Sequence, residues 1–118
     1  MMTNVYTKEE RNAIANTIWR SLGSQKFSAM TGCTPLYYGE SDGKVYIHMK
    51  VGRNCHSINR LEVAYNEWQD LFEMKFIRSI KGIAKVVASY KEVYVDMLHT
   101  LFTQHTGMVT EMPKLIIA

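Results

Sequence analysis

Lys44-Val45-Tyr46-Ile47-His48-Met49-Lys50-Val51 is the stretch that decides the fold. Val45, Ile47, Met49 and Val51 alternate with Tyr46, His48 and Lys50. That two-residue period belongs to a strand with one face buried and the other in water. Upstream, Gly39-Glu40-Ser41-Asp42-Gly43 is a turn signal, and Pro35 to Tyr38 before it reads as a strand. Lys26 to Thr31 reads as a shorter β segment stopped by Gly32. Downstream, Gly52-Arg53-Asn54-Cys55-His56-Ser57 is a polar, basic loop, and Arg60 to Asn66 alternates again through Leu61, Val63 and Tyr65. Asn66 to Lys75 is legible in two ways. Trp68, Leu71 and Phe72 suit a helical turn, whereas Phe72, Met74 and Phe76 suit a strand. A short turn leading into a strand is the expectation, with residues 67–80 open between helix and strand.

Helices flank this β region. Thr7 and Glu10 form a T-x-x-E capping box, and Ile14, Ala15, Ile18, Trp19 and Leu22 then recur at helical spacing up to Gly23. The spacing predicts a helix over 8–22. Ser89 and Glu92 form a second such box, followed by Tyr90, Tyr94, Met97, Leu98, Leu101 and Phe102 as a buried side and Gly107 as a stop. The expected architecture is therefore one small α+β domain over residues 1–118. It has an N-terminal helix, an antiparallel sheet of three to five strands, and a C-terminal helix packed on the sheet. Residues 108–118, with Leu115-Ile116-Ile117, read as a tail that is flexible, pairs with a sheet edge or docks on a partner.

With 118 residues the chain is the size of one domain. Its ordinary apolar and charged content argues against disorder. No run of apolar residues is long enough to span a bilayer, so no membrane role is expected. The start, Met1 to Glu10, lacks the basic and apolar regions of a signal peptide, which sets the expectation of a cytoplasmic protein. Cys33 and Cys55 form no CxxC pair and are expected as reduced thiols. The net charge of +3 is modest, but it is unevenly placed. Lys44, Lys50, Arg53 and Arg60 fall in a stretch without an acid, and Lys75, Arg78, Lys81 and Lys85 make a second group. Such clusters form either a solvated face or a site for an anionic partner.

Catalysis finds little support. G-x-S-x-G, Walker and G-x-G-x-x-G patterns are absent from the sequence, and the carboxylates are scattered, with Glu67, Asp70 and Glu73 sharing one segment. The four histidines do not fall at metal-ligand spacing: Cys55-His56 supplies two ligands, and His99 and His105 lie six residues apart. The expectation is no enzyme, no metal and no cofactor. Binding fares better. The Gly52 to Arg60 segment offers Arg53, Asn54, His56, Ser57, Asn59 and Arg60 for phosphate contacts, and Tyr46 and His48 supply flat rings beside it. The candidate nucleic-acid site is Tyr46, His48, Lys50, Arg53, His56 and Arg60; the plainer reading is a polar hairpin loop beside a sheet surface. Lys81-Gly82-Ile83-Ala84-Lys85-Val86-Val87-Ala88 also faintly resembles the lysine-rich start of the last helix of double-stranded RNA-binding domains, although Gly82 and the Val86-Val87 pair are poor helix formers.

Several segments in order resemble a group of small bacteriophage, prophage and mobile-element proteins without an established function. They are Leu22-Gly23-Ser24-Gln25-Lys26-Phe27, Met30-Thr31-Gly32, Asp70-Leu71-Phe72-Glu73-Met74-Lys75-Phe76, Val93-Tyr94-Val95-Asp96-Met97-Leu98 and Phe102-Thr103-Gln104-His105-Thr106-Gly107-Met108. Ser24 stands where a second glycine is usual in that group. Cys33-Thr34-Pro35 and the basic Gly52 to Arg60 loop look particular to this chain. The resemblance implies a phage or mobile-element origin and the host cytoplasm, and no activity. The recurring glycines and aromatics have a plain reading as element ends and core. Three binding roles follow as expectations: contact with nucleic acid; modulation of a host or defence protein through Tyr37, Tyr38, Trp68 or the apolar tail; and homo-oligomer formation through a free strand edge.

Overall fold

A computed structural model describes residues 6–110. The chain is an α+β domain in which two helices, a five-stranded antiparallel meander and a third helix follow one another. Helix α1 spans Lys8–Leu22 and begins at the expected box. The Thr7 hydroxyl accepts from the Glu10 amide at 3.2 Å, and the Glu10 carboxylate accepts from the Thr7 amide at 2.9 Å. Ile14, Ala15, Ile18 and Leu22 are its buried stripe.

Helix α2, Ser24–Thr31, corrects the first expectation, since a β segment was read over Lys26 to Thr31. Gly23 ends α1 and starts α2 in one left-handed residue at φ 119°, so the chain turns directly into a second helix. Eight residues are too few to display a helical period. Tertiary contact decides the matter: Phe27 is inserted between Trp19, His99 and Phe102, with its centroid 5.0 Å from that of Phe102.

The strands are β1 Thr34–Ser41, β2 Lys44–Lys50, β3 Arg60–Asn66, β4 Leu71–Ile80 and β5 Ile83–Val93, in sheet order β1-β2-β3-β4-β5. β1 runs past Gly39, where a turn was expected, because the Tyr46 ring lies across that residue: a Cβ there would come 2.8 Å from the Tyr46 hydroxyl. The turn proper is Asp42-Gly43. Residues 67–70 form a turn and Leu71 opens a strand, as the alternation of Phe72, Met74 and Phe76 implies.

The largest correction concerns residues 81–97. Lys81-Gly82 is the turn of a hairpin, and the segment likened to an RNA-binding helix is edge strand β5. Ser89 pairs with Lys75 within the sheet, so it caps no helix. The third helix starts later, with a single 3-10 turn at Val95–Met97 leading into α3, Leu98–Thr106. The β-branched Val86-Val87 run favours the strand. Leu98, Leu101 and Phe102 are buried as expected, whereas Tyr94 and Met97 are exposed. The Leu115-Ile116-Ile117 reading lies outside the described residues.

Alternation along the strands assembles one apolar face in rows. Val45, Tyr65, Phe72 and Val93 align across β2 to β5, as do Ile47, Val63, Met74 and Tyr90, and Met49, Leu61, Phe76 and Ala88. Helix α1 lies over β1 to β3, and α3 approaches β4 and β5 through His105, whose ring is 4.6 Å from that of Phe76. Burying a large apolar side chain of this kind contributes roughly 1.5–3 kcal/mol. These rows and the helix stripes therefore hold the fold, and the sheet's other face stays open to water. Among the described residues no helix is long and apolar enough to cross a membrane.

Candidate nucleic-acid interface

The meander sorts its connections to two ends. The turns at 42–43 and 67–70 lie at one end, and the 51–59 loop and the 81–82 turn lie at the other. The second end brings together Lys50, Arg53 and Arg60 of one cationic group and Arg78, Lys81 and Lys85 of the other, whereas Lys44 and Lys75 lie towards the first end.

The 51–59 loop is held from several sides. The Val51 amide donates to the Asn59 carbonyl at 3.0 Å, and the Gly52 amide donates to the Thr31 carbonyl at 3.2 Å. Ile58 plugs the loop into the core. The Asn54 side chain donates to the carbonyls of Gly52 and Ile58 at 2.9 and 2.6 Å, and its oxygen accepts from the amides of His56 and Ile58, both at 3.2 Å. Asn59 clamps the loop to β4: its side chain donates to the Ser79 carbonyl at 2.7 Å and accepts from the Ser79 amide at 2.8 Å. Asn54 and Asn59 thus spend their polar groups on structure, which leaves the cations as the groups free to meet a ligand.

Of the six sequence-derived site residues, four gather here. Lys50 and Arg60 are direct cross-strand partners on the open face. Arg53 is exposed on the loop beside a hollow of about 350 Å³ that Asn59, Arg78 and Ile80 also line. His56 is exposed on the helix side, at the rim of a second hollow of about 360 Å³ shared with Arg78, Gln104 and His105.

The other two, Tyr46 and His48, sit further along the open face in a different electrostatic setting. The His48 ring stacks on Tyr37 at 4.8 Å and 6°, and its Nδ1 lies 3.2 Å from the Glu62 carboxylate. Tyr46 meets Tyr37 edge-on at 6.3 Å. Burial, and then the charge of Glu62, push the Tyr46 hydroxyl above its ordinary pKa. Beside Tyr46 lies a small depression of about 70 Å³ lined by Lys44, Glu62, Glu73 and Lys75 among others, and Lys44 is ion-paired with Glu73. Charges of both signs neutralise this region. Its accessible ring is Tyr37, 53% exposed. The sequence signal for Tyr37 is weak, because a bulge between Pro35 and Tyr37 sets which face it joins.

Sequence reasoning placed Arg78 and Lys85 in a cationic group and not in the site. The register makes them direct cross-strand partners. Arg78 Nη2 donates to the His56 carbonyl at 3.0 Å, and among the described residues its buried Nε has no acceptor. Two like-charge pairs therefore stand at one end of one sheet, Lys50 with Arg60 on the open face and Arg78 with Lys85 on the helix side. From Lys75 to Lys91, and from Lys44 to Leu61, the sequence has no acid. Like charges directly opposite each other cost stability unless an anion lies between them.

Among the described residues no three His, Cys, Asp or Glu side chains gather to hold a metal ion. Cys33 is buried, which pushes its thiol up to about 11, and Cys55 is exposed; both are free thiols. The fold and this end define a helix-covered antiparallel meander with a concentrated cationic edge. No family model, curated protein or solved structure matches the chain.

Proposed function

We propose that this chain is a non-enzymatic accessory protein of phage or mobile-element type, working in the host cytoplasm by binding nucleic acid through the basic end of its sheet. The observation that carries the reading is the doubled like-charge pairing, Lys50 with Arg60 and Arg78 with Lys85, where the next row on the open face sets the Glu62 carboxylate between His48 and Lys75. A polyanion relieves that repulsion, and phosphates are the anions that guanidinium and ammonium groups best engage. Arg53 and His56 extend the surface, and Tyr37 with Tyr46 and His48 flank it.

The test is binding of nuclease-treated protein to labelled single- and double-stranded DNA and RNA over a salt series. The expected result is binding that weakens steeply as salt rises, since released counterions drive it. Absence of binding at low salt, by protein shown to be folded, overturns the reading.

A second reading, a modulator of a host or defence protein, is favoured by Trp68. It is 82% exposed on the turn at the opposite end, and tryptophan is a frequent anchor of protein interfaces. A nuclease-treated host lysate passed over wild-type protein and Trp68→Ala tests it. A partner retained equally by both removes Trp68 as the anchor.

A further inference from the structure

The β4–β5 hairpin outruns its neighbours. β3 last pairs with β4 at Arg60 opposite Ile77, and beyond that row Arg78 pairs with Lys85, Ser79 with Ala84, and Ile80 with Ile83. Three residue pairs make an overhang of about 10 Å at the rise of an extended strand. A two-residue turn closes it, with Lys81 at φ 52° and Gly82 at φ 79°. Positive φ at both positions matches the twist of a tight hairpin. The Asn59 side chain braces the base of this ribbon through Ser79.

Alternation gives the ribbon two unlike faces. One carries only Ser79 and Ala84, so it is thin. The other carries the cation pair Arg78 and Lys85, followed at the tip by Ile80 and Ile83, which are 57% and 74% exposed. An isoleucine pair at the apex of a solvent-exposed ribbon contributes nothing to the core described above. A cationic pair one step behind it is the wrong company for a purely apolar partner.

Resting on the nucleic-acid reading above, we infer that the ribbon is a wedge for the minor groove of duplex DNA: Ile80 and Ile83 enter between base pairs while Arg78, Lys81 and Lys85 hold the flanking phosphates, and the duplex bends. The chemistry selects this partner. Reading bases in the major groove needs side chains that hydrogen-bond base edges, and the tip offers isoleucines instead. Single strands are held on aromatic platforms, which the ribbon lacks. Apolar wedges beside cations are the means by which minor-groove proteins unstack a base step and kink the duplex.

The test measures end-to-end energy transfer in a dye-labelled DNA duplex titrated with the full chain, together with affinity for the same duplex and for its single strands. Wild-type protein is expected to raise transfer as it binds. Ile80→Thr/Ile83→Thr keeps β-branched side chains at exposed positions. It is expected to bind single strands as wild type does, to lose several-fold in duplex affinity, and to abolish the rise in transfer. Lys85→Gln is expected to weaken duplex binding and flatten its salt dependence. Binding without bending, or bending undiminished in the isoleucine variant, overturns the wedge and leaves the nucleic-acid reading standing. A failure to bind any nucleic acid overturns both. Sedimentation and flotation supply two further ways to overturn the wedge. The first is a wild-type dimer that the isoleucine variant turns into monomer, which makes the ribbon a self-interface. The second is isoleucine-dependent binding to anionic phospholipid vesicles in the absence of DNA bending.

Discussion

His105 lies between Phe76 and Tyr90, with the Tyr90 hydroxyl 2.5 Å from its Nε2. With the imidazole neutral and its proton on Nδ1, that hydroxyl donates and Nε2 accepts. Burial first, and the nearby His56 second, hold His105 below its ordinary 6.5. The sign of the linkage follows. The unfolded chain takes up this proton at a higher pH than the folded one, so His105 leaves stability intact above 6.5 and lowers it as pH falls below that value. Thermal melts about one unit either side of 6.5 should show wild type losing stability on the acid side and His105→Gln losing less. An unchanged difference would remove His105 as the source. Gly52 illustrates a steric constraint in place of a charge. A Cβ on it would stand 2.5 Å from the Thr31 carbonyl oxygen, in the place where the end of α2 accepts the Gly52 amide. Gly52→Ala is expected to cost about 1–3 kcal/mol in urea denaturation, because neither backbone can give way.

At the scale of elements, the basic loop and the ribbon are coupled through the Asn59 side chain and through the Arg78 bond to the His56 carbonyl. Asn59→Ala strips the Ser79 amide and carbonyl of their partners, a loss of about 1–3 kcal/mol if the amide stays dry and less if water reaches it. Amide exchange should accelerate at Ser79 while the rows through Met74 and Phe72 keep their protection; a uniform acceleration would mean that Asn59 supports the whole sheet. This coupling also explains what was legible beforehand. The α1 boundaries were readable because Thr7, Glu10 and Gly23 are local signals that the structure uses locally. The strands β2 and β3 were readable because one face is buried and the other is not. α2 was not, since Phe27 finds its partners on α1 and α3 and no period shows in eight residues. β5 was misread because Ser89 and Glu92 have the spacing of a capping box, and its exposed first half shows no in-out alternation. For the candidate site, the cations of 44–60 were visible in the sequence. That Arg78 and Lys85 reach the same end of the sheet, on its helix side, depends on the register of β4, which no local pattern encodes.

Across the described residues, which span 58 × 37 × 22 Å, charge is separated end from end. Towards the 42–43 turn the open face pairs Lys44 with Glu73 and sets the Glu62 carboxylate beside His48. Towards the 81–82 turn Lys50, Arg53, Arg60, Arg78, Lys81 and Lys85 stand without an acid within either sequence segment. A net charge of +3 therefore understates the field that an approaching polyanion meets. The separation predicts an asymmetric response to charge removal. Each phosphate contact contributes close to one unit to the slope of log affinity against log salt, so Arg53→Ala/Arg60→Ala should weaken nucleic-acid binding and reduce that slope by about two. Lys44→Ala removes the same kind of charge from the neutralised end and should leave the slope as it was. If instead Lys44→Ala and the double variant lowered affinity and slope in proportion to the charges removed, the protein would be acting as an unstructured point charge. The basic end would then have no privileged role.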